Sequence, residues 1–341
     1  MRWRAAAAWM MAIIVCVASA GCSHRSGPPQ MSSAARAYLA RALDLLQRNS
    51  IDAGAVDWPV LRAKAYEVAA TAQTSTDTYE AIHRAVYLLH DAHTRFFTRT
   101  EANLAFDQAT MSDGPPTGRI LPGGYALLTV PAMSGNDQAV AAYMKGGVQA
   151  VHELDQDHPC GWVVDLRGNG GGNMWPMLTA LAPLLIGPTL GYFVDASGKR
   201  SSWILRDGQL FVDGSPQLPQ PDNYSLARPQ PPVAILTDPL TASAAEATLI
   251  AFRGQANSRT FGQPTAGFPS ANEAFALSDG AVLLITVAND ADRTGHVYPN
   301  LVAIPPDQPV SHSKPGPSTP RGADPVIDAA TQWLAGTPAC R

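Results

Sequence analysis

Residues 162–173, Trp-Val-Val-Asp-Leu-Arg-Gly-Asn-Gly-Gly-Gly-Asn, constrain the fold of this 341-residue chain more than any other stretch. A short apolar run ends at Asp165, and three consecutive glycines follow at Gly170, Gly171 and Gly172. Because glycine permits positive φ and close backbone approach, this pattern is typical of a buried strand that ends in a tight turn. Its spacing matches neither the dinucleotide-binding fingerprint nor a phosphate-binding loop. The turn is therefore either an oxyanion site or a purely structural strand-to-helix connection.

The composition is that of a globular protein with no affinity for nucleic acid. Charged residues make up 15% and apolar residues 46% of the sequence, enough to bury a sizeable core. The formal net charge is -4, and no run of Lys or Arg would attract a polyanion. The scattered histidines and cysteines lack metal-ligand spacing, so we expect no metal or organic cofactor. The sequence carries no signal of oligomeric state.

The amino terminus has the layout of an export signal, with basic residues before an apolar run that ends in small residues. We therefore assign 1–21 to the signal and 22–34 to a polar tether. Ala20-Gly21-Cys22 resembles a lipoprotein box, which predicts lipidation of Cys22 and an exported protein in the periplasm or anchored at the outer membrane. A retained membrane anchor and plain secretion are the alternatives. The protein would meet the membrane through this signal or lipid anchor alone.

The folded part retains two cysteines, Cys160 and Cys340. In an oxidising compartment they could form one disulfide. Their spacing alone does not decide whether they are bridged.

Predicted strands and helices alternate along most of the chain, which indicates an α/β fold. We expect a small N-terminal helical region over 35–97, a loop over 98–117 and an α/β core over 118–335. Apolar periodicity predicts helices over 35–47 and 58–70 and a third that starts near residue 77. In the core, it predicts strands or hairpins at 118–131, 162–166, 233–237 and 274–287, and helices at 137–154, 174–181, 243–252 and 325–334.

Ser243 lies where a predicted strand gives way to a helix. A hydroxyl at a helix N-terminus is close to backbone N–H groups and the positive end of the helix dipole, which favour the anion formed in acyl transfer. A serine at this position is also a common N-cap, so the residue alone does not distinguish the two roles. A nucleophilic serine further needs a base.

Three segments in matching order and spacing resemble the tail-specific, or carboxy-terminal processing, serine peptidase family. They are Asp165–Gly172, Thr241–Glu246 and Gly262–Gly267. The resemblance implies a ClpP/crotonase-like core of ββα units. It also implies that Ser243 is the nucleophile and that Gly171, Gly172 and the amide of Ala244 contribute to the oxyanion hole.

The family resemblance also suggests the base. The best-known branch pairs its serine with a lysine at the position that Phe268 occupies here, so a Ser-Lys dyad is excluded. A second branch lacks that lysine; it includes the tricorn core protease and the repeats of interphotoreceptor retinoid-binding protein. Its peptidases use a histidine from the segment before the core, and Asp91-Ala-His93-Thr94-Arg95 resembles that motif. His93 is therefore the expected base, a role that suits an imidazole near neutral pH.

Four further residues are candidates for supporting roles. Asp91 could orient the imidazole, cap a helix end or pair with a nearby arginine. Glu246 and Thr265 match further motif positions of the family. Asn272 could form a hydrogen bond near the site or satisfy a strand edge. The tricorn protease also uses a late glutamate, for which Asn300 is the nearest match in this sequence.

The resemblance does not extend to the PDZ domain that many members of the family carry. Residues 98–117 are too few for a separate domain, which needs roughly 50 residues. The sequence thus predicts an exported serine hydrolase, and a peptidase that cleaves peptide or protein substrates through a Ser-His acyl-enzyme is the main hypothesis. A non-catalytic envelope module for an apolar ligand and a hydrolase of non-peptide acyl substrates are the alternatives.

Overall fold

The computed structural model describes residues 30–107, 113–219, 224–311 and 324–341. The predicted export signal, Cys22 and the tether as far as residue 29 lie outside the described residues. Within the described ranges, none of the helices has the length and hydrophobicity of a membrane span.

Helices and strands alternate in parts of the core, as the sequence predicts, but the described residues of 189–237 and of 258–309 each hold five strands in succession. The helices of the described residues are α1 (Ser33–Asn49), α2 (Trp58–Val68), α3 (Tyr79–Leu88), α4 (Arg99–Phe106), α5 (Asp137–Asp155), α6 (Met174–Leu181), α7 (Ala244–Phe252) and α8 (Pro325–Ala335). The strands are β1 (Arg95–Phe97), β2 (Thr117–Leu121), β3 (Tyr125–Thr129), β4 (Trp162–Asp165), β5 (Thr189–Asp195), β6 (Arg200–Arg206), β7 (Gln209–Val212), β8 (Ser215–Pro216), β9 (Val233–Thr237), β10 (Ser258–Gly262), β11 (Ser270–Ala276), β12 (Val282–Asp292), β13 (Val297–Tyr298) and β14 (Gln308–Pro309).

A six-stranded sheet with the order β14-β10-β9-β4-β3-β2 forms the centre of the α/β core. Its neighbouring strands are parallel except for the β2–β3 hairpin at one edge. Trp162 and Val164 of β4 pack in the same cluster as α5, α6 and α7, whereas Val163 packs with α8 on the opposite face. Parallel strands that are buried on both faces read as continuous apolar runs, which explains the composition of β4 and β9.

The turns that follow β4 and β9 lie side by side at one edge of this sheet. The two strands are parallel neighbours, so their carboxyl ends meet. Gly168 donates its N–H to Asp238 at 3.1 Å, and Ala242 donates its N–H to the carbonyl of Asn169 at 2.9 Å. The glycine turn is thereby held against the loop that carries Ser243.

A second, eight-stranded sheet joins the N-terminal helices to the core. Its path is β1-β12-β5-β6-β7-β8, and β11 and β13 also pair with β12. Leu283 and Ile285 of β12 pack in one buried cluster with Leu39 and Leu43 of α1. Pairing of β1 with β12 brings the segment just before β1, which contains His93, onto this sheet.

The predicted α/β class is confirmed, and two of the predicted segments, the tether and the loop, contain helical residues. Helix α1 begins at Ser33 and so includes the last two residues of the predicted tether. Residues 99–106 of the predicted loop form α4, because Thr98 and Glu101 make a capping box at its start. A helix of two turns leaves the segment between β1 and β2 as short as before, so its length still argues against a PDZ domain.

The carboxyl terminus is tied to the core sheet. Helix α8 packs Val326 and Ala330 against the face that carries Val163. Cys160, just before β4, forms a disulfide with Cys340, and the two Cα atoms are 5.1 Å apart. The bridge holds the last turn of the chain beside the start of a central strand.

Candidate active site

Ser243 lies immediately before α7, at the end of the loop that leaves β9. Its backbone has φ 53° and ψ -116°, a conformation that a residue with a side chain adopts only under strain. Glu246 of the same helix accepts the Ser243 N–H at 2.7 Å, and the loop is pinned by Asp238, which accepts the N–H of Thr241 at 3.0 Å. These bonds hold the half-buried hydroxyl in place at the start of the helix.

His93 brings an imidazole to this hydroxyl from the segment before β1. Its Nε2 lies 3.0 Å from Ser243 Oγ, and its Nδ1 lies 2.8 Å from Ser270 Oγ. A ring with its proton on Nδ1 donates to Ser270 and accepts from Ser243, so that one tautomer satisfies both bonds. A serine hydroxyl that donates to an imidazole nitrogen is the arrangement that nucleophilic catalysis requires.

The hydrogen bonds continue beyond Ser270 to a carboxylate. Ser270 Oγ donates to Asn300 Oδ1 at 2.9 Å, and Asn300 Nδ2 donates to Asp91 Oδ1 at 2.8 Å. The chain Ser243, His93, Ser270, Asn300, Asp91 therefore has every donor facing the next acceptor. It fixes the plane of the imidazole and ends in a negative charge, which favours the imidazolium that forms when His93 takes a proton.

The glycine turn touches Ser243 through Gly171. Gly171 has φ 98°, and a Cβ on this residue would lie 2.9 Å from Ser243 Cβ and 2.8 Å from the carbonyl oxygen of Ala242. A side chain cannot occupy that space, so the turn needs glycine here.

The amide of Gly171 already has an acceptor within the turn, which differs from the sequence-based expectation that it serves the oxyanion hole. It donates to Asn169 Oδ1 at 2.9 Å, because the amide side chain of Asn169 folds back into the turn. Among the described residues, the N–H groups of Gly172 and Ala244 have no hydrogen-bond acceptor. Ala244 is the first residue of α7, where a helix has no internal acceptor for its N–H. These two amides are the remaining donors for an oxyanion.

The comparisons with known proteins identify the family. The model of peptidase family S41 matches residues 124–310. A nisin-resistance protein of Lactococcus lactis subsp. lactis is 30% identical over 277 residues, which are 81% of this chain and 84% of the relative. The chain belongs to peptidase family S41. It is a serine-type peptidase.

Solved structures confirm the fold of this S41 peptidase. A lipoprotein from Streptococcus agalactiae is similar with a TM-score of 0.70 at 24% identity, over 89% of this chain and 97% of that chain. A photosystem II D1 C-terminal processing protease is similar with a TM-score of 0.58 at 17% identity, over 91% of this chain and 99% of that chain. The predicted ClpP/crotonase-like α/β core is thereby confirmed.

Phe268 shields the imidazole of this S41 peptidase from water. Its ring centroid lies 5.1 Å from that of His93, at the position where the lysine branch has its base. Burial lowers the pKa of His93 to about 4; the charge of Asp91 opposes this change and that of Arg95 adds to it. The ring is therefore neutral, as a general base must be, at any pH above about 5.

Glu246 links the serine loop to the loop of Phe268. Its carboxylate accepts the Thr265 hydroxyl at 2.5 Å and the N–H groups of Gly267 and Phe268 at 2.9 and 2.8 Å, in addition to that of Ser243. Burial raises the pKa of Glu246, while these bonds lower it. Three of the four donors are amides that can only donate, so the ionised carboxylate is the form that the site fits.

Asp91 and Asn272 form direct hydrogen bonds with the backbone of His93 and not with its ring. Asp91 Oδ1 accepts the His93 N–H at 3.0 Å, and Asn272 Nδ2 donates to the His93 carbonyl at 3.3 Å. Asp91 reaches the ring of His93 only through Asn300 and Ser270, because the Ser270 hydroxyl bonds the ring nitrogen directly. Burial by itself would raise the pKa of Asp91, but bonds from Thr94 and Thr286, from the His93 N–H and from Asn300 lower it.

Ser270 was not among the predicted site residues, and the bond of Asn300 was not predicted. Ser270 begins β11 directly after the Phe268-Pro269 turn, and no motif marks it. Asn300 follows β13, and Asn289 of β12 accepts its N–H at 2.8 Å. A search for any hydroxyl close behind the position of the missing lysine could have proposed Ser270.

Asp290 is a second residue that sequence reasoning missed. It lies on β12 with almost no exposed surface, and neither carboxyl oxygen has a hydrogen-bond partner among the described residues. Burial, and then the charge of Glu246, raise the pKa of Asp290 well above its ordinary value. The neutral acid is the form that this environment tolerates.

Proposed function

We propose that this S41 peptidase cleaves peptide bonds through an acyl-enzyme on Ser243, with His93 as the general base. The observation that carries the proposal is the 3.0 Å separation between His93 Nε2 and Ser243 Oγ. That distance lies within the hydrogen-bond reach that a base needs to take the proton. Metal or organic cofactors have no part in the proposed reaction.

The proposed reaction has two halves. In the first, Ser243 Oγ bonds to the carbonyl carbon of the substrate while His93 Nε2 takes the hydroxyl proton. The N–H groups of Ala244 and Gly172 stabilise the oxyanion, and His93 then gives the proton to the amine nitrogen as the C–N bond breaks. In the second, water loses a proton to His93 and attacks the acyl carbon, and Ser243 leaves with that proton.

Ser270, Asn300 and Asp91 are proposed as positioning residues that act through His93. The directional bonds hold the Nδ1 tautomer, and the charge of Asp91 favours the imidazolium. Ser270 thus takes the place, next to the base, that an aspartate holds in a Ser-His-Asp triad.

The decisive experiment is labelling with a fluorophosphonate, which reports an activated serine without reference to a substrate. We expect rapid labelling of the wild type, none of Ser243→Ala, and a rate about 10²–10⁴-fold lower for His93→Ala. His90→Ala is the matched control, because His90 is exposed three residues earlier and should label at the wild-type rate. A folded wild-type protein that never labels would refute the proposal.

Substrate assays separate the proposed peptidase from its alternatives. Casein, unstructured peptides and nisin, chosen because one relative is a nisin-resistance protein, are assayed beside small acyl esters. Peptide cleavage that Ser243→Ala abolishes supports the proposal. Ester turnover without peptide cleavage would indicate a hydrolase of non-peptide acyl groups, and stabilisation by an apolar ligand without turnover would indicate a binding module.

We also propose that the protein is exported and lipidated at Cys22. The small-residue run that ends at Cys22 supports this proposal, and a solved structure of similar fold is that of a lipoprotein. Cys22→Ser should move the protein from the membrane fraction to the soluble periplasm. Retention in the membrane fraction after that substitution would mean that another segment anchors it.

A further inference from the structure

Strand β11 leaves the candidate site with one edge unpaired. It pairs with β12 along one side over Ser270 to Ala276, and no strand of the described residues pairs with its other side. Glu273, Ala274 and Ala276 are exposed. An unpaired strand edge presents backbone N–H and C=O groups to any extended chain that reaches it.

The register shows which groups point to the free edge. Leu277 donates its N–H to the Ala281 carbonyl at 2.8 Å, which makes this a hydrogen-bonded pair of the hairpin. In an antiparallel ladder, pairs that exchange backbone hydrogen bonds alternate with pairs that do not. Residues 276, 274 and 272 therefore make no backbone hydrogen bonds to β12. The backbone groups of Asn272, Ala274 and Ala276 therefore face outward.

The backbone of Thr286 independently supports this assignment. Thr286 lies opposite Asn272 in the register. It uses its N–H for the Thr94 hydroxyl and its carbonyl for the N–H of Ile51, both on the other side of β12. The pair of Asn272 and Thr286 is thus non-bonded, and the backbone of Asn272 is directed to the free edge.

This edge is continuous with the proposed catalytic pair. Ser270, the first residue of the strand, bonds to the ring of His93, and Asn272 bonds to the His93 carbonyl. The Asn272 side chain is turned to His93, so the backbone of Asn272 is the part of this residue that the free edge presents. At about 3.3 Å per residue, Asn272 and Ala274 lie about 7 and 13 Å along the strand from Ser270, which bonds to the ring of His93, so a chain paired with them runs close to the proposed catalytic pair.

We infer that the free edge of β11 from Asn272 to Ala276 docks the substrate, an extended polypeptide segment that adds to the sheet as a further strand. The inference rests on the proposed function and names the substrate class: unstructured or locally unfolded chains, bound largely through their backbone. Backbone pairing gives affinity with little dependence on side chains, and a helical segment cannot supply it.

A backbone scan of a cleaved peptide tests the docking directly. Single N-methyl groups are placed at successive residues on both sides of the cleavage site, and kcat/KM is measured with the wild-type enzyme. Because alternate N–H groups of an added strand face its partner, we expect losses of about 3- to 10-fold at every second residue and little change between them. Equal losses at all positions, or none, would overturn the inference.

Ala274→Pro tests the same contact from the enzyme. Proline removes the outward N–H but no bond to β12, and an edge strand tolerates it on that side. We expect KM for the peptide to rise about 3- to 10-fold, with an unchanged rate of fluorophosphonate labelling. Ala274→Ser keeps the N–H and should behave as the wild type. Should the proline variant fail to fold, the N-methyl scan decides alone.

The outcomes separate this inference from the proposed function. A folded wild-type protein that shows neither labelling nor cleavage counts against the proposed function itself. Normal labelling and cleavage with no alternation in the scan and no effect of Ala274→Pro counts against the docking strand alone. If Ala274→Pro instead converts a dimer to monomers and leaves peptide cleavage unchanged, the edge joins two copies of the chain and the inference is overturned.

Discussion

The ring nitrogen Nδ1 of His93 lies 2.8 Å from the hydroxyl of Ser270, a residue 177 positions later in the chain. The contact joins the segment before β1 to the first residue of β11. Through Asn300 it reaches the carboxylate of Asp91, which also accepts the His93 N–H. His93 is therefore held both at its ring and at its backbone by one connected set of hydrogen bonds.

Removing the Ser270 hydroxyl should slow the chemistry without weakening substrate binding. We expect Ser270→Ala to lower kcat and the labelling rate about 10- to 100-fold, in the lower part of the range for general acid–base catalysis, with KM nearly unchanged. Ser270→Thr keeps a hydroxyl at this position and should recover most of the rate. Loss of activity in both variants would point to packing of β11 and not to the hydrogen bond.

The pH dependence of cleavage should reflect the buried imidazole. With the pKa of His93 lowered to about 4, kcat/KM should stay on a plateau as the pH falls from 7 to 5 and decline near pH 4. Phe268→Ala opens the ring to water, so the pKa of His93 should rise toward 6.5 and the acid limb should move up with it. A pH–rate profile of both proteins on one peptide makes the comparison. An unshifted limb would mean that Phe268 does not shield the base.

Two adjacent glycines should respond differently to alanine. At Gly171, a Cβ would meet Ser243 and the loop before it at under 3.0 Å, and φ is 98°. Gly171→Ala should lower the labelling rate by about 100-fold or more, because a small displacement of the serine misaligns the reacting atoms. At Gly170, a Cβ meets nothing within 4 Å, so Gly170→Ala should label normally. Equal rates in the two variants would contradict the close approach of the turn.

The parts of the site that the sequence predicted are those with a local signal. Ser243 and His93 each lie in a short recognisable string, and each predicted helix or strand of the core has its own apolar period. The capping box of α4 was also local and was overlooked. Ser270 and Asn300 carry no such signal, since their roles depend on the pairing of β11 and β13 with β12.

The role of the Gly171 amide was misread and Asp290 was missed because both depend on contacts that the local sequence does not show. The amide of Gly171 is turned aside by the side chain of Asn169 two residues earlier, a detail of rotamer that a motif does not encode. Asp290 lies in a strand whose apolar neighbours suggest only burial, and a pattern of hydropathy does not reveal that its carboxyl lacks partners. Motifs locate chemistry, whereas the protonation state of a side chain follows from its three-dimensional surroundings.

Asp290 and Asp292, two positions apart on β12, should affect stability with opposite dependence on pH. Burial and the charge of Glu246 raise the pKa of Asp290, so the folded state binds more protons than the unfolded state. The proton on Asp290 therefore adds to the free energy of unfolding in full below the ordinary pKa of 3.8, and this contribution is lost as the pH rises through the higher pKa of the folded state. The side chain of Asp290→Asn is always neutral. Between pH 4 and pH 8, the free energy of unfolding of this variant should therefore rise relative to that of the wild type by on the order of 1 kcal/mol.

Asp292 is the matched control, because its pKa is shifted the other way. Burial opposes its ionisation, but bonds from Thr294 and Tyr298 lower its pKa below 3.8. The ionised form stabilises the folded state above the unfolded pKa, and this contribution is lost as the pH falls. Asp292→Asn should thus lose stability at pH 8 and less at pH 4. Urea unfolding of the wild type and the two variants at pH 4 and pH 8 gives the change in relative stability of each variant between the two pH values. Changes of the same sign for both variants would show that Asp290 is ionised in the folded protein.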